Sequence, residues 1–214
     1  MVSPLRALIL DFGEVLTGPQ PRQIIEGMAS MARLPVEEFL SRYWRHRKAY
    51  DCGLTGPEYW SRVVEGNEDV PPSLLSELIE MDALSWSDYR ETVWDIAAEF
   101  RARGNRVAML SNGVADIICR VRAERRLNEL FDAVIVSCEI GQCKPEPEIY
   151  RMCINRLGVP ADVTLFVDDR VENLAAAENV GLRTFHFTGD QSVDALRTTL
   201  DLPVEPFSNT TNGA

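Results

Sequence analysis

Leu5-Arg6-Ala7-Leu8-Ile9-Leu10-Asp11-Phe12-Gly13-Glu14-Val15-Leu16-Thr17 is the stretch around which the chain is organised. Ala7 to Leu10 is an unbroken apolar run, the pattern of a strand covered on both faces in a parallel sheet. The run ends in a carboxylate, Asp11, with Gly13 two residues on. Ligands of open α/β sheets bind beyond the carboxyl ends of the strands, so an acid here is placed for chemistry. An acid that merely ends a strand reads the same way locally, and the rest of the chain decides between the two.

Outward from this stretch, Gly18-Pro19-Gln20-Pro21 makes a turn-rich link. Residues 22 to 86 then read as helices separated by breakers, with no convincing strand. Ile24, Ile25, Met28, Met31 and Ala32 recur at helical spacing, and a second helix is expected over 36–50. Thr55, Pro57 and Glu58 form a capping-box pattern, and Pro71-Pro72-Ser73 opens a fourth helix. Beyond residue 86 the pattern alternates. Strands are expected at 106–110, 133–136, 163–167 and 182–187, with helices at 91–103, 114–126, 147–157, 171–179 and 193–200. Strands alternating with helices imply a parallel sheet with right-handed crossovers. The expected fold is therefore α/β, a Rossmann-like parallel core (1–17 and 87–202) with an inserted all-helical cap (18–86) and a flexible tail (203–214).

Bulk properties narrow the function. The chain has 214 residues, 45% hydrophobic and 26% charged, ordinary for a soluble globular protein. A formal net charge of −11 argues against nucleic-acid and anionic-membrane partners. No run is long enough to span a bilayer, and the N-terminus lacks a signal-peptide layout. Five cysteines (Cys52, Cys119, Cys138, Cys143 and Cys153), without a CxxC pair, are expected as reduced thiols in a cytoplasmic protein. The sequon at Asn209 is then without consequence. Nothing in the sequence speaks to oligomeric state.

Three more strand ends carry polar clusters. Ser111-Asn112-Gly113 precedes a helix, where a hydroxyl and free backbone N–H groups suit an anion, although an ordinary N-cap has the same composition. Lys144-Pro145-Glu146-Pro147 offers an ammonium on a restricted backbone, as a solvated surface turn also does. Asp168-Asp169, with Asn173 one turn on, sets two acids side by side; they repel unless a cation such as Mg²⁺ lies between them. Each cluster alone is weak evidence. Together they converge on one edge of the sheet.

The combination of Asp11-Phe12-Gly13-Glu14-Val15-Leu16, Leu110-Ser111-Asn112-Gly113, Lys144-Pro145-Glu146-Pro147-Glu148-Ile149-Tyr150 and Val167-Asp168-Asp169-Arg170-Val171-Glu172-Asn173 closely resembles the haloacid dehalogenase superfamily. The resemblance spans residues 11 to 173, and the helical block looks like that family's cap. It implies a Mg²⁺-dependent hydrolase of small phosphorylated metabolites, with Asp11 as the nucleophile that forms an aspartyl-phosphate. Ser111, Asn112 and Lys144 would bind the phosphoryl oxygens. Asp11, the carbonyl of Gly13 and Asp169 would hold the ion, with Asp168 a direct or supporting partner and Asn173 orienting the acid pair.

One departure stands out. Phosphatases of the family usually carry a second Asp two positions after the nucleophile, and here that position is Gly13. Glu14, in extended geometry, is expected to point to the opposite side. Two other readings therefore stay open: a metal-free 2-haloacid dehalogenase, and a binding or regulatory protein without turnover. In the helical block, Trp44, Tyr50 and Trp60 are expected to pack in the core rather than face the site.

Overall fold

A computed structural model describes residues 3–66 and 71–204. Most of the tail expected at 203–214 lies outside the described residues. The first strand, β1, is Ala7–Leu10, fully buried as its apolar run requires. Four helices follow: α1 (Arg22–Met31), α2 (Val36–Asp51), α3 (Gly56–Val63) and α4 (Pro72–Ser85). Thr55 caps α3 through the reciprocal bonds with Glu58 that the sequence pattern announces. After α5 (Glu91–Ala102) the chain alternates through β2 (Arg106–Ser111), α6 (Ala115–Glu124), α7 (Leu127–Leu130), β3 (Ala133–Val136), α8 (Ser137–Ile140) and α9 (Pro147–Leu157). It finishes with β4 (Thr164–Asp168), α10 (Val171–Asn179), β5 (Arg183–His186) and α11 (Val193–Thr199).

All strand pairs are parallel, in the order β3-β2-β1-β4-β5. This α/β sheet with flanking helices is the expected fold class. Two details differ from expectation. The single helix expected over 114–126 is interrupted, because Arg125 is extended (φ −127°, ψ 136°) and α7 begins two residues later. The short helix α8, right after β3, is too brief to leave a periodic signal.

The register brings the chemistry together. Leu10 pairs with Met109 on one side and Val167 on the other, so the residues that follow β1, β2 and β4 emerge side by side. The Asp11 N–H continues the ladder to the Val167 carbonyl at 2.9 Å.

The helical block leaves and re-enters the core through two adjacent segments. Thr17 bridges Tyr89, the Gly18 N–H donates to the Asp88 carbonyl at 2.7 Å, and Trp94 Nε1 donates to the Leu16 carbonyl. A Cβ on Gly18 would stand 2.8 Å from the Asp88 carboxylate, which would have to swing aside. Inside the block, Phe39, Tyr43, Tyr59 and Trp60 interlock, with ring centroids 5.1–6.2 Å apart. Tyr50 stacks on Tyr59 at 4.2 Å. Tyr50 and Trp60 are buried as expected.

The cysteines correct one expectation. Cys119, Cys138 and Cys153 are free, but Cys52 and Cys143 form a disulfide across 91 residues. The end of α2 folds down onto the loop after α8, and Ser137 Oγ donates to the Asp51 carbonyl in the same contact. Sequence spacing carries no trace of that approach. No described helix is long and apolar enough to cross a membrane.

Candidate active site

Asp11 leaves the end of β1 as the cap of a tight turn over Phe12–Leu16, its Oδ1 accepting from the Phe12 N–H at 2.6 Å. Lys144 reaches in from the loop before α9. Its ammonium lies 2.7 Å from Asp11 Oδ1 and 2.7 Å from Asp168 Oδ2, and the residue is 3% exposed. Lys144 is thus not a surface lysine. Burial alone pushes its pKa down, but Asp11 and Asp168 outweigh that and raise it. The ammonium also stands 5.5 Å from the Phe166 ring centre.

The acid pair divides into two environments. Asp168 is fully buried at the end of β4. Its Oδ1 accepts from the Arg170 N–H and from Asn173 Nδ2, and its Oδ2 accepts from Lys144 and from Asn173 Nδ2. Asn173 is held in turn by Tyr150, whose hydroxyl donates to the Asn173 carbonyl. Asn173 thus holds the Asp168 carboxylate. Asp169 has none of these partners on its carboxylate among the described bonds; its backbone carbonyl faces His186.

Carboxylate oxygens of Asp11, Asp168 and Asp169 lie within 4.8 Å of one another. Three acids share one ammonium, and the strain shows in their protonation. Burial, opposed by Lys144 and reinforced by Asp168, raises the Asp11 carboxyl well above its ordinary range. Burial, then Asp168 and Glu14, pushes Asp169 up to about 6. A divalent cation with oxygen ligands fits this set. Asp169 has carboxylate oxygens free to take it, with Asp11 beside it, whereas the Asp168 carboxylate is already occupied by four contacts.

This yields a pH-dependent expectation. Below about 6 Asp169 keeps its proton in the folded state, so bound Mg²⁺ must displace it. The rise in melting temperature caused by Mg²⁺ should be large at neutral pH and shrink as pH falls through about 6. In chelator the sign reverses. Between its ordinary value of 3.8 and about 6 the folded state holds the extra proton, so Asp169 makes the metal-free protein less stable as pH rises. Thermal scans of wild type and Asp169→Asn, with Mg²⁺ and with chelator, check both slopes. The variant should flatten both.

The structure redistributes the other expected residues. Ser111 is buried at the end of β2, beside Gly113. Asn112, expected to bind substrate, lines the cavity and also ties down the Lys144 backbone. Its Nδ2 donates to the Lys144 carbonyl at 2.8 Å, and its Oδ1 accepts from the Lys144 N–H at 2.7 Å. Glu14 corrects a second expectation. The chain does not stay extended through this turn: Gly13 is still extended (ψ 133°), but Glu14 adopts the left-handed φ of 56°. Glu14 consequently lines the cavity over Asp11 and acts electrostatically on Asp169.

That cavity, about 370 Å³, is walled by Asp11, Glu14 and Asp169 from the sheet edge and by Trp44, Arg47 and Trp86 from the helical block. Trp44 was expected to pack in the core, but it is 53% exposed at the cavity. Its helical spacing separates inside from outside and says nothing of what the outside faces. Gly13 opens on the same space. A Cβ there would meet the Trp86 ring at 3.3 Å, so an indole stands beside the position where the family's second acid is usual.

Comparison with known proteins shows the family. The model of the haloacid dehalogenase-like hydrolases matches residues 5–181. The chain belongs to that family. It is 33% identical to a sesquiterpene phosphatase of Aspergillus oryzae, over 94% of this chain and 97% of the relative. It also matches acyl-CoA dehydrogenase family member 10 of Mus musculus, at 26% identity over 84% of this chain, but spans only 17% of that protein. A haloacid dehalogenase family enzyme of Bacteroides thetaiotaomicron, solved with magnesium and inorganic phosphate, shares the fold at TM-score 0.72. Its identity is 21%, and the match covers 87% of this chain and 96% of that one. An L-2-haloacid dehalogenase shares the fold as well, at TM-score 0.66 and 19% identity, over 87% of each chain. The protein is a hydrolase of this family with phosphatases among its relatives.

Proposed function

We propose that this hydrolase cleaves small phosphomonoesters with Mg²⁺, through an aspartyl-phosphate on Asp11, beneath a cap formed by residues 18–86. The observation that carries the reading is the single ammonium of Lys144 set among three converging carboxylates. Such a site is short of positive charge by one divalent ion. A 2-haloacid substrate would add a fourth carboxylate to it, which tells against the dehalogenase reading.

Asp11, Asp169 and the Gly13 carbonyl would hold the ion, with Asp168 behind them fixing Lys144. When bound, the ion neutralises charge on the phosphoryl oxygens. Asp11 Oδ2, the oxygen left free by Phe12 and Lys144, attacks phosphorus. Lys144 lies against the nucleophile, where it stabilises the charge that builds on the transferring group. Ser111, at the end of β2, and the backbone amides after it hold further oxygens. Water then attacks the phosphorus of the intermediate, releasing phosphate and restoring Asp11.

A panel of phosphomonoesters assayed with Mg²⁺ and with chelator tests this. Turnover that requires Mg²⁺ is the expected result. Chloride release from 2-chloropropionate in chelator, without ester hydrolysis, would overturn it in favour of the dehalogenase. Mg²⁺ binding without hydrolysis of any ester would favour a binding protein.

A further inference from the structure

Resting on the phosphatase reading, we propose that the site takes phosphomonoesters of flat, apolar alcohols, aryl esters foremost, with Trp44 and Trp86 as the walls that receive the leaving group. Trp44 is the only exposed Phe, Tyr or Trp among the described residues, and it stands on the cavity over Asp11. Tyr43 meets it edge-on at 5.0 Å, which holds the indole in place while more than half of it stays open. Trp86, from the end of the helical block, lies over Gly13. An apolar ring seated between them removes indole surface from water and gains ring–ring contact.

The guanidinium of Arg47 on the same wall is partly engaged: its Nε is bound to Asp51 at 2.9 Å, and its Nη1 lies against the Tyr43 hydroxyl and Asp82. A polyol leaving group would have to strip water from its hydroxyls against two indole faces, and hydroxyls buried without hydrogen bonds are disfavoured. An aryl ring brings none.

The chemistry of the leaving group points the same way. With glycine at 13 and an indole beside it, no side chain at that position protonates the departing oxygen. As Asp11 Oδ2 bonds to phosphorus, the ester P–O bond breaks and its electron pair departs on the alcohol oxygen. A phenolic oxygen, whose conjugate acid has a pKa of about 10, carries that pair and then takes a proton from water. Water attacking phosphorus gives phosphate and returns the Asp11 carboxylate, its proton passing to solvent. The sum is ester plus water giving phenol plus phosphate. Alkoxides, being more basic, leave far less readily without a donor.

The test separates ring recognition from leaving-group acidity. With Mg²⁺, KM and kcat are measured for phenyl phosphate, 2-phenylethyl phosphate and glycerol 2-phosphate, the last two being alkyl esters. The ring-bearing alkyl ester should show a KM several-fold below that of glycerol 2-phosphate, and phenyl phosphate the highest kcat. Trp44→Ala, an exposed position where folding is not at stake, should narrow the KM ratio, and Trp44→Phe should keep most of it. A lower KM for glycerol 2-phosphate, or a ratio unmoved by Trp44→Ala, overturns the proposal while leaving the phosphatase intact. If no ester turns over, calorimetry with Mg²⁺ and phenylphosphonate against methylphosphonate decides. Tighter binding of the phenyl compound that depends on Trp44 upholds the ring site after the catalytic reading has failed, and equal binding ends both.

Discussion

Asp11→Asn should lower turnover of any phosphomonoester by a factor on the order of 10⁴–10⁶, the range seen when a catalytic nucleophile or its partners are removed. The fold should survive. Asparagine retains an oxygen to accept from the Phe12 N–H and from Lys144, the two contacts that Asp11 Oδ1 makes. Replacing one of three crowded acids also relieves repulsion with Asp168 and Asp169, which lie within 4.8 Å. The melting temperature in chelator should therefore equal or exceed that of wild type, while the stabilisation by Mg²⁺ shrinks for want of a ligand. Steady-state kinetics and thermal scans on one preparation separate a lost nucleophile from a lost fold. Turnover within tenfold of wild type would remove Asp11 from the chemistry.

Lys144→Met should damage both stability and rate. The ammonium is 3% exposed and neutralises two buried carboxylates at 2.7 Å each. Removing one member of a buried, hydrogen-bonded charge set costs about 3–5 kcal/mol, because the remaining charges stay without compensation. Loss of the group that stabilises transition-state charge should lower kcat by about 10²–10³-fold. The stability deficit carries a pH signature. Without Lys144, the factor that opposes burial at Asp11 is gone, so its pKa rises further and protonation relieves the deficit. Urea unfolding in chelator should show a large loss at neutral pH and a smaller one near pH 5 (roughly one unit above an ordinary carboxylate). A deficit that does not change with pH would mean that Lys144 matters for packing rather than for charge.

The strand ends were legible before any coordinates. Each buried strand is a short apolar run, and the runs stop at Asp11, Ser111 and Asp168, where the carboxyl edge of the sheet meets the cavity. Parallel connectivity then places those ends on one side, and Lys144 joins them from the loop before α9. What failed to show in the sequence depends on long-range approach or on a change of local geometry. Alternation is a property of strands, and it stops at Leu10. Carried on to Glu14 it gives the wrong side, because the chain turns there into a left-handed conformation. Cys52 and Cys143 are 91 residues apart and meet only because α2 descends onto the core. The aromatic side chain of Trp44 suggests the core, and only the fold shows it on the cavity over the nucleophile. Asn112 has the composition of an anion site, and only the loop geometry reveals that its amide also holds the Lys144 backbone.

Gly13 illustrates both limits. Its lack of a side chain was plain, and its neighbour was not. Because a Cβ would stand 3.3 Å from Trp86, Gly13→Asp restores an acid only if that indole gives by a few tenths of an ångström. The acid and the aromatic wall compete for the same space, which ties the missing proton donor to the kind of leaving group the cavity receives.

The most direct test of catalysis through Asp11 is to trap the intermediate. Protein with Mg²⁺ is mixed with phenyl phosphate, quenched in acid within the first turnover, digested and weighed by mass spectrometry. A phosphoryl group on the peptide 7–22, removed by hydroxylamine and absent from Asp11→Asn, is the expected result. Full turnover with that peptide unmodified at every quench time, or with the phosphoryl group on another peptide, would contradict it.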